Sequence, residues 1–83
     1  MMMTEVINSI IDEWDPLDLF PFAPKDEYRD ESILIFKAYM KTKNVPDLAF
    51  EIHKIFSDSF GKDVFTKSIA DCIRIAELIV ENI

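Results

Sequence analysis

Apolar residues recur at helical spacing nearly throughout the chain. Met3, Val6, Ile7, Ile10, Ile11 and Trp14 fall at i, i+3/i+4 and i+7, while Asn8, Ser9, Asp12 and Glu13 face the other way. The pattern predicts a first helix over about residues 4–14, stopped by Pro16. Asp15-Pro16 is a cap-then-proline pair and predicts a short turn over 16–19. A second helix is predicted from near Pro24, with Asp26 and Glu27 in its first turn, where the helix dipole favours anions. Its wide apolar face comprises Tyr28, Ile33, Ile35, Phe36, Tyr39 and Met40, and Lys37, Lys41 and Lys43 lie toward its C-terminal end. A third helix opens after Asn44, with Pro46 and Asp47 in its first turn. Its buried stripe is Leu48, Ile52, Ile55, Phe56 and Phe60, and Gly61 is placed as a left-handed C-cap. A fourth is predicted from about Asp63 to the last residue. Phe65, Ile69, Cys72, Ile73, Ala76, Ile79, Val80 and Ile83 face inward, and Asp63, Lys67, Asp71, Arg74 and Glu81 face out. A Lys67–Asp71 pair would add a few tenths of a kcal/mol.

Between the first two helices, residues 15–23 carry Pro16 and Pro21 together with Leu17, Leu19, Phe20 and Phe22. A mobile linker is polar and rich in Gly or Ser. This apolar, stiff segment is expected to pack as an ordered arm. The fold class that follows is all-α: one helical domain over residues 1–83, a compact bundle of four helices with a Pro-rich arm between helices 1 and 2. Leu34, Phe50, Val64, Ile75 and Leu78 fall off the inward stripes, so a monomer or a weak homodimer is expected.

Composition narrows the function classes. The chain has 83 residues, with one Gly, one Cys, one His and one Trp. A chain this short buries only about 60–65 % of its unfolded surface, which leaves little room for both a core and an enclosed active site. One Gly excludes Gly-rich phosphate loops, and one Cys with one His cannot build a structural zinc site. The longest apolar run, Ile33-Leu34-Ile35-Phe36, is far short of the roughly 20 residues of a spanning helix. The first residues carry no Lys or Arg before Lys25 and are interrupted by acids, unlike a signal peptide. A free Cys fits a cytoplasmic setting. The net charge of −7 excludes a sequence-independent grip on nucleic acid. It is also unevenly placed. Residues 1–31 hold nine acidic and two basic residues, and residues 32–83 hold seven of each.

Two motifs in the acidic part are not generic bundle sequence: Trp14-Asp15-Pro16-Leu17, and Pro24-Lys25-Asp26-Glu27-Tyr28. Together with the aliphatic last helix around Cys72-Ile73-Arg74-Ile75-Ala76, they resemble a family of small uncharacterised helical bacterial proteins of the YugE-like type. The resemblance covers essentially the whole chain and implies a helical fold and a bacterial origin, with no activity to transfer. Family members often carry Gly where this chain has Asp18, so the turn geometry is expected to differ here.

The residues themselves point mainly to structure. Trp14 ends the apolar stripe of helix 1 and is expected to anchor the arm. If it is buried, its loss would cost roughly 3–5 kcal/mol. Asp15 would cap, and Tyr28 would pack its ring while its hydroxyl finds a partner. The functional alternative is an aromatic groove lined by Trp14, Phe20, Phe22 and Tyr28. The acids form two groups: Asp12, Glu13, Asp15 and Asp18, then Asp26, Glu27, Asp30 and Glu31. Neither has the spacing of a calcium loop, so no metal and no cofactor are expected. Cys72 on an inward stripe and His53 on a flank do not make a nucleophile–base pair, and no enzyme is expected. The expectation is a non-catalytic protein-binding or regulatory module, immunity-like by analogy of size and charge. It would engage a basic surface through Asp12, Asp15, Asp18, Asp26, Glu27, Asp30 and Glu31. No nucleic acid and no membrane are involved in this reading. The alternative is a small-molecule or divalent-metal site under the 15–23 arm.

Overall fold

Helix starts and stops follow local hydrogen-bond chemistry at most ends. In the computed structural model, which describes residues 3–19 and 27–83, helix α1 spans Met3–Trp14, α2 Arg29–Thr42, α3 Val45–Phe60 and α4 Ile69–Asn82. The fold is the predicted all-α bundle. Its helices form a closed ring in which each packs on its chain neighbours and α4 returns to α1. The α3–α4 seam is the most extensive and the α1–α4 seam the least. The radius of gyration, 11.6 Å, matches the roughly 12 Å of a compact chain of this length.

Helix α3 begins as predicted. Asn44 accepts the Asp47 amide at 3.0 Å, while its own amide group donates to the Asp47 carboxylate at 2.9 Å, and Pro46 fills the first turn, where no amide donor is needed. Gly61 ends the helix with φ 91° and ψ 149°. That is not the left-handed helical conformation expected but a more extended one, which only glycine occupies readily. A side-chain β-carbon there would meet no atom within 4 Å, so the requirement is one of backbone, not space.

Two helix starts differ from expectation. α2 begins at Arg29, not near Pro24, because residues 27–28 form a turn. The predicted first-turn position of Asp26 lies outside the described residues. α4 begins at Ile69, not near Asp63. Ser68 and Asp71 form a reciprocal capping box: the Asp71 amide donates to the Ser68 hydroxyl at 3.2 Å and the Ser68 amide to the Asp71 carboxylate at 3.3 Å. Lys67 is therefore outside the helix, and Asp71 pairs with Arg74 at 3.4 Å in place of the expected Lys67. Phe65 is buried as predicted, but from the loop.

The core is apolar and centred on Phe56. Its ring stacks on Phe60 and Phe65 with centroids 6.0 and 5.2 Å away, and it meets Trp14 and Tyr28 edge-on at 5.9 and 6.0 Å. Ile7, Ile11, Ile35, Leu48, Ile52 and Ile79 close around it with no exposed surface. The inward face of α2 is narrower than its sequence suggested. Ile33 and Met40 are exposed, whereas Glu31 and Ser32 are buried. Ile75, expected off the stripe, is buried, while Leu34, Phe50, Val64 and Leu78 are exposed as expected. No described helix is long and apolar enough to cross a membrane.

Candidate functional site

Trp14-Asp15-Pro16-Leu17 meets Tyr28, the described end of the second motif, at the junction of α1 and α2. After Trp14 the chain turns at Asp15, whose φ of 46° lies in the left-handed region that Asp tolerates better than most residues. The Asp15 amide still donates to the Ile11 carbonyl at 2.8 Å, and its own carbonyl accepts the Asp18 amide at 2.9 Å. Asp18 has φ 57°, the conformation glycine takes without strain. The side chain of Asp15 does not cap a helix. One carboxylate oxygen accepts the Leu19 amide at 2.9 Å and the Tyr28 hydroxyl at 2.6 Å. That hydroxyl in turn accepts the Leu17 amide at 3.3 Å. Asp15 and Tyr28 thus tether the end of α1 to the start of α2, with Pro16 buried beneath. Burial, and then the bond to Asp15, push the Tyr28 phenol far above its ordinary pKa, so it stays a donor.

A polar seam continues from this tether. The Asn8 amide group donates to Asp12 at 3.2 Å, and the Ser32 hydroxyl lies 3.1 Å from the Asn8 carbonyl oxygen and 2.9 Å from the Tyr28 backbone carbonyl. Glu31 is only 8 % exposed, and its Oε1 has no hydrogen-bond partner. Burial raises its pKa most. The charges of Asp30 and Glu27 add to the shift, while its own amide and the Ser59 hydroxyl oppose it.

The acidic candidates therefore divide. Glu13, Asp18, Glu27 and Asp30 are exposed; Asp12 and Asp15 are half-buried and engaged; Glu31 is turned inward. Asp26, Phe20 and Phe22 lie outside the described residues, as does the 20–23 part of the 15–23 arm. Among the described residues no group of three or more His, Cys, Asp or Glu side chains could hold a metal ion. Cys72 is fully buried and its thiol is pushed up to about 11, mainly by burial and then by Asp71. His53, placed on a flank of its helix by the sequence, is half-buried edge-on against Phe65 with centroids 5.4 Å apart.

Tyr28 has no exposed surface, so its ring is part of the core. Trp14 serves two surfaces. One side meets Phe56 and Phe65 edge-on, at 5.9 and 6.1 Å. It also lines a surface groove of about 670 Å³ along the α1–α4 seam, with Val6, Ile10, Ile75 and Leu78 as apolar wall and Glu5 and Glu13 at its margin. Sequence reasoning did not find this groove. Its signal was the exposed Leu78 opposite a half-buried Val6 and Ile10, which only the pairing of the first and last helices brings together.

The model of a protein family described as a domain of unknown function, DUF1871, matches residues 5–82. No curated protein and no solved structure matches the chain.

Proposed function

The chain belongs to the DUF1871 family, and from that premise we propose that it is a non-catalytic, cytoplasmic protein-binding module of the bacterial YugE-like type that engages a partner with a basic surface. The observation that carries this reading is the segregation of charge. The whole net charge resides in residues 1–31. Within that part, the Asp15–Tyr28 tether holds the exposed Glu13, Asp18, Glu27 and Asp30 around one end of the bundle. A charge needed only for solubility has no reason to collect there, whereas a collected field steers an oppositely charged partner and makes association sensitive to salt.

The test uses the full chain as bait in a lysate of its source organism at low and at raised salt. Wild type should retain a basic protein at low salt, and Glu27→Lys with Asp30→Lys should lose it. Retention that is indifferent to the double substitution and to salt would overturn the reading.

A further inference from the structure

We propose that the groove between α1 and α4 is the seat of a basic amphipathic helix from a partner protein. The proposal deepens the protein-binding reading above and rests on it. Three features carry it. The wall is largely apolar and spans two helices: Val6, Ile10 and Trp14 from α1 and Ile75 and Leu78 from α4 line it, with Ser9 and Asn82 as its uncharged polar residues, and Leu78 is 44 % exposed. The α1–α4 seam is also the least extensive in the ring.

Second, the dimensions suit a helix. The wall runs from Val6 to Trp14 along α1, about 12 Å at the helical rise. An occupant helix would lay about two turns against it, enough for one i, i+3/i+4, i+7 row of apolar side chains, the usual way a helix fills a groove.

The third feature is charge, and it selects the occupant. Glu5 and Glu13 edge the groove on α1. On α4, an adjoining hollow shares Ile75 and Leu78 and is edged by Glu77 and Glu81. Arg74, the one cation among the described residues lining it, is paired with Asp71 at 3.4 Å. An apolar trough between two acidic margins accepts a helix with one apolar stripe flanked by Lys or Arg and rejects one flanked by acids. Glu13 belongs both to this margin and to the acidic end, so a partner steered by that end would reach the groove without crossing a neutral surface.

Trp14 is the only tryptophan and reports on the groove directly. The probe is a synthetic 14-residue amphipathic helix of Leu and Lys, without aromatic residues, titrated into the full chain while Trp14 emission is followed. Wild type should show a saturable blue shift at micromolar peptide. Leu78→Asn, at a half-exposed position, should keep the far-UV circular dichroism and thermal midpoint and weaken binding at least tenfold. Glu5→Gln with Glu13→Gln should weaken it by a similar factor at low salt, and the same peptide with Glu in place of Lys should not bind. The proposal is overturned if the Glu peptide binds as well, or if Leu78→Asn leaves binding unchanged. It is equally overturned if Trp14 emission shifts with protein concentration alone, which would put a second copy in the groove. No emission response, alongside a captured partner that Glu27→Lys with Asp30→Lys releases, would overturn the groove and leave the protein-binding reading standing.

Discussion

Two regions of this bundle are built on opposite principles. Around Phe56, among the described residues, the rings of Trp14, Tyr28, Phe60 and Phe65 pack with centroids 5.2–6.4 Å apart, an arrangement set mainly by ring-on-ring contact. At the α1–α2 junction, Asn8, Asp12, Asp15, Tyr28, Ser32 and Glu31 are positioned largely by polar contacts. The first region supplies most of the burial on which a small fold depends. The second decides how the turn after α1 is led back to α2, and burying its polar atoms offsets part of what the contacts contribute. Stability and geometry are thus assigned to different places, and Tyr28 is the residue that joins them.

The largest expected effect lies in the aromatic region. Phe56→Ala removes a side chain with no exposed surface that touches the rings of Trp14, Tyr28, Phe60 and Phe65. It should cost about 3–5 kcal/mol, a large share of the stability of a domain this size. Urea unfolding checks it, and a loss below about 2 kcal/mol would mean the rings re-pack and the region is less tightly built than its geometry implies. Next is Tyr28→Phe, which keeps the ring and deletes the tether. Asp15 loses the 2.6 Å bond from the Tyr28 hydroxyl and the Leu17 amide loses that hydroxyl as acceptor. A hydrogen bond to a charged group is worth about 1.5–3 kcal/mol, and a loss in that range is expected. Hydrogen exchange at the Leu17 and Leu19 amides should rise while that of α3 stays protected. Equal loosening of both regions would erase the distinction between them.

The aromatic region was legible in the sequence because apolar residues at helical spacing report burial directly. Phe56, Phe60, Trp14 and Tyr28 were all placed inward. Phe65 was too, although its helix was begun six residues early. That error has a physical source. The Ser68-x-x-Asp71 capping box competes with the same apolar spacing, and reciprocal side-chain bonds ended the contest in favour of a loop. The polar junction was legible only in part. Trp14-Asp15-Pro16 and Tyr28 stood out, but their meeting depends on φ 46° at Asp15, which spacing does not encode. Glu31 and Ser32 were missed because polar residues on a helix read as solvated until a neighbouring helix covers them. The α1–α4 groove was invisible for a similar reason: its two walls are more than sixty residues apart in the chain.

A smaller effect, of opposite sign, is expected at Glu31. Burial raises its pKa above the ordinary 4.5, so the folded chain binds this proton more tightly than the unfolded one. Its favourable contribution is complete below the unfolded value and is lost as pH rises through the raised folded value. At pH 7 the buried charge therefore destabilises, and Glu31→Gln should raise the thermal midpoint by a few degrees. The gain should shrink toward zero near pH 4, where the native carboxyl is itself protonated. An equal gain at both pH values would show that charge burial is not the cause.

The smallest effect is expected at Ser32, although it has no exposed surface. Its single hydroxyl proton is shared between the Asn8 carbonyl oxygen and the Tyr28 backbone carbonyl. Neither acceptor is stranded by its removal. The Tyr28 carbonyl already accepts the Ser32 amide at 2.9 Å, and Asn8 is half-buried, so its side chain reaches water. Ala is also the better helix former by a few tenths of a kcal/mol, which offsets part of a lost bond worth about 1 kcal/mol. Ser32→Ala should therefore change stability by less than roughly 0.7 kcal/mol in urea unfolding. A loss above about 1.5 kcal/mol would mean that Asn8, Asp12 and Ser32 act with Tyr28 as one cooperative network. The geometry of the junction would then rest on the whole seam and not on the Asp15–Tyr28 tether, and the division between an aromatic region that stabilises and a single bond that positions would no longer hold.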